Sequence, residues 1–278
     1  MYHLYIAGKI LALVLPRRLC YGLANFCALI HFRLSKEDRE TIIYNLTPIV
    51  GEAKAEKYAK EVFINFAYYL ADFFRYSRLN QKFIKKYVRV SGLNNLDQAL
   101  AHGKGVIALT AHLGNYELAG AVTSLLGYPV SAVALPHKDR RANELFDSQR
   151  QIVGVEVIST GGAIKGCLSA LKKKRVLALL GDRDFSKAGY AVKILSRTAT
   201  LPRGPAYFAL KTGACIIPGF LVRENKFFYH LIFEKPFIFE EGEFKTEVDI
   251  VKHYVPVLEK YIEKYPEQWY MFQKLWID

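Results

Sequence analysis

Four short apolar runs constrain this chain most: Val106–Ala111, Val130–Leu135, Val155–Ile158 and Val176–Leu180. None shows the polar alternation of a strand with one wet face, so each reads as a strand buried on both sides. Helical patterns separate them: about Asn115–Leu126 stopped by Gly127, Arg140–Val153 stopped by Gly154, and Ala163–Lys173 with a cationic end. Further on come a helix at Gly204–Thr212 closed by Gly213, strands at Ala214–Arg223 and Lys226–Glu234, and a helix at Glu247–Lys264 stopped by Pro266. Strands alternating with helices predict an α/β fold whose mixed, largely parallel central sheet is flanked by helices. Upstream, Glu52–Phe74 carries apolar and aromatic residues at steps of three and four, an amphipathic helix. A basic link (Lys82, Lys85, Lys86, Arg89) joins it to the α/β part.

The first 36 residues differ from the rest. They hold no acidic residue, and Pro16, Arg17 and Arg18 divide them into two apolar stretches. Neither reaches the roughly 20 apolar residues of a spanning helix. The reading adopted is a pair of short helices lying at a membrane interface, with arginines on lipid phosphates. A core helical hairpin and a single tilted span are the alternatives. The predicted division is thus 1–36, a membrane-associating helical appendage, and 37–278, the α/β domain. A net charge of +13 suits anionic partners such as phospholipid headgroups or an acidic carrier. Nucleic acid is not expected, because the basic residues are dispersed and the aromatics sit at core spacing. Cys20, Cys27, Cys167 and Cys215 form no CxxC pair and read as reduced core residues.

In open parallel sheets, ligands gather where the strands end. After Val106–Ala111 stands His112-Leu113-Gly114-Asn115-Tyr116-Glu117. Gly114 permits a sharp turn, Asn115 is a good N-cap, and Glu117 falls in the first helical turn. A turn of this kind can fold Glu117 back towards His112, giving a base and its orienter without a nucleophile of their own. Such a pair suits activation of a substrate hydroxyl or amine. After Val176–Leu180 stands Gly181-Asp182-Arg183-Asp184. Two carboxylates are too few for a magnesium site, so an ordering Asp–Arg network is expected, with no metal and no cofactor. Thr160-Gly161-Gly162-Ala163 opens a helix and is able to hold an anion, but lacks the order of a nucleotide loop. His137, His230 and His253 read as structural or exposed.

These residues resemble a known family. Gly103–Glu117, with its H-x4-E, is similar to the first motif of the bacterial lipid A biosynthesis acyltransferases, the late lauroyl and myristoyl transferases. The mycobacterial phosphatidylinositol mannoside acyltransferases share that fold and motif type. Arg39 with Asn45-Leu46, Arg150 followed by Gly154, Gly181–Asp184, Thr200–Ala206 with Thr212–Ala214 and Pro218, and Pro266–Trp269 with Trp276 resemble its later blocks in the same order. The resemblance implies a glycerolipid-acyltransferase-like fold at the cytoplasmic face of the inner membrane. It implies that His112 deprotonates a hydroxyl of an anionic membrane lipid acceptor, while Glu117 orients the imidazole. The acyl donor is then a thioester of acyl carrier protein or coenzyme A. Arg150 is expected to bind charge, and Asn115, Asp182, Arg183 and Asp184 to surround the substrate. Hydrolysis of the thioester by the same dyad is the alternative reaction. No F-P-E-G-type block is present, which argues against lysophosphatidate, and the GDRD and L-P-R-G-P-A spellings lean towards the mannoside branch.

Overall fold

A computed structural model describes residues 2–186, 188–239 and 246–278. Met1, Lys187 and residues 240–245, which fall within the two predicted segments, lie outside the described residues. The chain opens with four helices, α1 (Tyr2–Val14), α2 (Arg17–Leu34), α3 (Lys36–Val50) and α4 (Glu52–Phe73). Then follow α5 (Gln81–Tyr87), β1 (Val88–Ser91), α6 (Leu93–Ala101), β2 (Val106–Thr110), α7 (Tyr116–Leu125), β3 (Val130–Ala134), α8 (Arg140–Gln151) and β4 (Glu156–Ser159). The rest is α9 (Ala163–Lys172), β5 (Val176–Leu180), the hairpin β6 (Tyr190–Ile194) and β7 (Arg197–Leu201), α10 (Gly204–Thr212), β8 (Cys215–Arg223), β9 (Tyr229–Phe233) and α11 (Glu247–Lys264).

The predicted architecture is present. A seven-stranded sheet runs β1-β9-β8-β2-β5-β3-β4. Every neighbouring pair is parallel except β8 and β9, so β1 and β9 run against the other five strands. Successive residues of the central strands enter different cores: Val106, Val176 and Ile217 join the cluster with α6, α7 and α8, while Ile107, Leu177 and Ile216 join the one with α9, α10 and α11. That two-sided burial is why the runs carry no polar alternation. Three predicted elements differ by more than one residue at an end or in type. The basic link is α5 and β1, the last sheet strand begins at Tyr229 rather than Lys226, and the Arg140 helix stops at Gln151.

The N-terminal region folds as two helices broken at Pro16, and among the described residues no helix is long and apolar enough to cross a membrane. Two details correct the expectation. Arg17 does not point to a lipid phosphate: it is buried against Asp72 of α4, Nη2 to Oδ1 3.6 Å, and stacks on the rings of Tyr21 and Tyr229. A guanidinium whose neighbours are a carboxylate and aromatic faces is held inside the protein. Cys27 is exposed on α2, whereas the other three cysteines are buried.

Candidate active site

β2 and β5 pair in register from Val106↔Val176 to Thr110↔Leu180. The ladder continues one step further, with Gly181 N–H donating to the Thr110 carbonyl at 2.8 Å. The residue two positions past each strand end therefore meets its counterpart: His112 faces Asp182. Asp182 is fully buried. Its Oδ1 lies 2.9 Å from His112 Nδ1, and its Oδ2 accepts from the His112 backbone N–H and from Trp269 Nε1, each at 2.9 Å. Burial alone would raise this carboxyl, but the facing imidazole and these donors hold it below the usual carboxylate range. An ionised Asp182 fixes the proton on Nδ1, which leaves Nε2 as the basic nitrogen. Nε2 has no hydrogen-bond partner among the described residues.

The turn after His112 is built tightly. Gly114 has φ of 63°, and a Cβ there would stand 2.1 Å from the Leu221 carbonyl oxygen, so only glycine fits. Asn115 is the helix cap, its Oδ1 accepting from Leu118 N–H at 3.0 Å. It is buried and turns its amide to Asp72 at 3.2 Å, so it builds the turn from behind and does not reach the cavity, contrary to the expected substrate contact.

Glu117 does not fold back onto His112. α7 starts at Tyr116, which carries Glu117 round to α8, where Arg150 holds it with Nη2 at 2.6 Å and Nε at 3.1 and 3.2 Å. Arg150 also pairs with Asp147 at 3.1 Å. Burial would lower the Arg150 pKa, yet Glu117 and Asp147 keep it raised. Its charge is thereby spent within the protein rather than left for a ligand. Glu117 and His112 nonetheless line one cavity of about 740 Å³, together with Arg150, Arg183 and Asp184. The cavity straddles the ends of β3 and β5. Its walls are mostly apolar, with Ala132, Ala178 and Val155 on one face of the sheet and Val133, Leu179 and Cys167 on the other. Asp184 accepts from Ser186 N–H at 2.9 Å and Oγ at 2.6 Å, and from Gly189 N–H at 2.9 Å, ordering the loop beside the cavity. Thr160 and Ala163 lie on the wall of the same space. Among the described residues no group of three His, Cys, Asp or Glu side chains is placed to hold a metal.

Trp269 is the partner of the histidine–aspartate pair that local spacing did not reveal. It reaches Asp182 from 87 residues away, because Gln268 bonds the β8 backbone at Arg223 (2.8 and 2.9 Å) and the Tyr270 N–H donates to the His112 carbonyl at 2.7 Å. The Asn45 amide, on α3, binds the carbonyls of Met271 and Gln273 at 2.8 and 2.7 Å and so fastens this segment from the other side.

A buried imidazole–carboxylate pair opening onto a largely apolar cavity, at the carboxyl ends of parallel strands, is an arrangement suited to base-assisted chemistry on an apolar ligand. Comparison with known proteins gives the family: over residues 1–277 the chain matches, and belongs to, the bacterial lipid A biosynthesis acyltransferases. It is 25% identical over 221 residues to the phosphatidylinositol mannoside acyltransferase of Mycolicibacterium smegmatis, covering 77% of this chain and 72% of that protein. With the enzyme of the same name from Mycobacterium tuberculosis it is 28% identical over 156 residues, 54% of this chain and 49% of the relative, so that match spans about half the relative's length. The lipid A biosynthesis palmitoleoyltransferase of Escherichia coli is 25% identical over 196 residues, 70% of this chain and 61% of that protein.

Proposed function

We propose that the protein is a membrane-surface O-acyltransferase that moves a fatty acyl group from a thioester to a hydroxyl of a glycolipid. The observation that carries this reading is the His112–Asp182 pair at 2.9 Å with its free Nε2 on an apolar cavity. Nε2 accepts the acceptor hydroxyl's proton as that oxygen attacks the thioester carbonyl. A C–O bond forms and the carbonyl electron pair moves onto oxygen. Collapse restores the carbonyl and breaks the C–S bond, and the imidazolium returns its proton to the leaving thiolate. Asp182, rather than Glu117, holds the imidazole and stabilises its cationic form. Glu117 keeps Arg150 and the α7–α8 wall in place.

Acyl carrier protein or coenzyme A supplies the thioester, and the acceptor is an anionic glycolipid of the lipid A or phosphatidylinositol mannoside kind. The protein sits peripherally on the cytoplasmic face of the inner membrane, residues 1–36 forming the seat. Leu19, Leu23, Phe26 and Ile30 support this seat: they recur at helical spacing on α2 and are exposed, with Leu4, Ile10 and Val14 exposed on α1. The test is incubation of the purified chain with an acyl thioester and each acceptor class, followed by mass spectrometry. Gain of one acyl chain by the lipid, absent with His112→Ala, supports the reading. Release of free fatty acid with no acylated lipid would establish a thioesterase instead. A comparison of total lipids from cells with and without the protein identifies the natural acceptor by the acyl chain it loses.

A further inference from the structure

Three guanidinium groups line the cavity: Arg150, Arg183 and Arg203. Two are neutralised, Arg150 by Glu117 at 2.6 Å and Asp147 at 3.1 Å, and Arg203 by Glu247 at 2.8 Å. Arg183 differs. Among the described residues it forms no ion pair and no hydrogen bond, and its Nε is buried without an acceptor. The carboxylates on either side of it in sequence are committed elsewhere. Asp182 is used by His112 and Trp269, and Asp184 by Ser186 and Gly189 N–H. What holds the guanidinium is the face of Phe185, 4.2 Å from its centre to the ring. The same ring stands 6.1 Å from the His112 imidazole. One aromatic side chain thus neighbours both the His112 imidazole and a cation that has no ion pair among the described residues. Burial lowers the Arg183 pKa by more than the neighbouring Asp182 charge raises it. An unpaired buried donor costs stability, and such a group asks for an acceptor supplied from outside.

We propose that Arg183 is the anion-recognition group of this cavity and binds an anionic oxygen presented beside His112. Two oxygens share that chemistry: the oxyanion formed when the thioester carbonyl is attacked, and a phosphate oxygen of the acceptor headgroup. The planar fork offers two parallel N–H donors to either, which a lysine ammonium does not. The inference rests on the acyl-transfer reading of the cavity and moves charge binding from Arg150 to Arg183.

Calorimetry on the full chain in detergent tests it with two probes of equal chain length, an alkyl phosphonate and the corresponding alkyl alcohol. The wild type is expected to prefer the phosphonate by about tenfold or more, as a charge-assisted bond gives. Arg183→Gln abolishes that preference and leaves alcohol affinity unchanged, and Arg183→Lys restores part of it. A preference that survives Arg183→Gln overturns the proposal. Failure of both probes to bind the wild type instead overturns the acyl-cavity reading beneath it. Thermal unfolding supplies an independent readout: removal of a half-buried cation whose Nε lacks an acceptor leaves the melting temperature unchanged or raises it. A marked drop would make Arg183 a structural residue and end the proposal. Kinetics then separate the two oxygens. A fall in kcat on the order of 10²-fold with both phosphorylated and neutral acceptors assigns the oxyanion. A rise in KM confined to the phosphorylated acceptor assigns the headgroup, and no change with either acceptor overturns the proposal.

Discussion

At the scale of single residues, experiment separates the two carboxylates that compete to orient His112, Asp182 and Glu117. His112→Ala removes the proposed base and is expected to lower kcat by about 10²–10⁴-fold while the fold persists, checked by circular dichroism. Asp182→Asn keeps the shape but no longer stabilises the imidazolium, so kcat falls by a comparable 10²–10⁴-fold, roughly the scale at which such orienters act. Glu117→Gln instead leaves Arg150 buried with one counter-charge fewer. It lowers stability by about 3 kcal/mol and activity mainly through that loss. Equal activity of Asp182→Asn and wild type would return the orienting role to Glu117. The lowered Asp182 pKa also fixes a pH dependence. Its stabilising effect is complete above the unfolded value of about 3.9 and is lost as pH falls through the lower folded value. The gap in melting temperature between wild type and Asp182→Asn is therefore widest at neutral pH and narrows below about pH 4.

At the scale of elements, the sheet and its helices were legible because burial of the central strands β2 and β5 on both faces writes itself as near-continuous apolar runs, whereas the edge strand β4 leaves Glu156 and Ser159 exposed. The histidine turn was legible too, since Gly114 and Asn115 are local chemistry. The partner of His112 was not. Asp182 and His112 meet through the β2–β5 register, and Trp269 joins them through a tertiary bond, neither of which leaves a local spacing. In local pattern the one trace was that both residues stand two places past a strand end; the family resemblance of Gly181–Asp184 put Asp182 near the substrate but not on the imidazole. Asp72 was equally hidden: a lone acid in the aromatic stripe of α4. It accepts hydrogen bonds from Tyr21 of α2 and Tyr229 of β9, and from Arg223 of β8 at 2.9 Å and Asn115 at 3.2 Å. Burial and the Asp72 charge push the Tyr21 phenol up to about 12, so it stays neutral and donates. Asp72→Ala strips Arg17 and Arg223 of their counter-charge and is expected to cost about 3–5 kcal/mol, read as a lower denaturant midpoint. The cavity wall gives another element-scale prediction. Ala132 and Ala178 are register partners on β3 and β5, and both face the cavity. Ala178→Phe fills that space, and each methylene it excludes costs an acyl chain about 0.8 kcal/mol. The preferred chain shortens by several carbons, measured by mass spectrometry of the product.

At the scale of the whole molecule, the question is how a buried site meets a lipid that lives in a bilayer. The net charge of +13 is compatible with an anionic surface but does not locate the contact. The exposed apolar residues do so better. Leu4, Ile10, Val14, Leu19, Leu23, Phe26, Ile30 and Leu34 all belong to α1 and α2, whose opposite faces are buried on α4 and α8 through Ala12, Tyr21 and Ala28. A helix so divided has one side satisfied by protein and the other left exposed among the described residues, and Arg18, Arg33 and Lys36 are exposed beside it. Insertion of the apolar side would leave those cations at headgroup level, so two separable forces would act on the proposed membrane seat. Replacing Leu19, Leu23, Phe26 and Ile30 by serine is expected to abolish co-sedimentation with anionic vesicles while turnover of a detergent-dispersed acceptor persists. Raising the salt weakens the binding of the wild type only in part, because screening removes the arginine and lysine contribution and leaves the apolar one. Complete release by salt alone would mean that the exposed leucines and Phe26 never enter the bilayer, and that charge by itself holds the protein to the membrane.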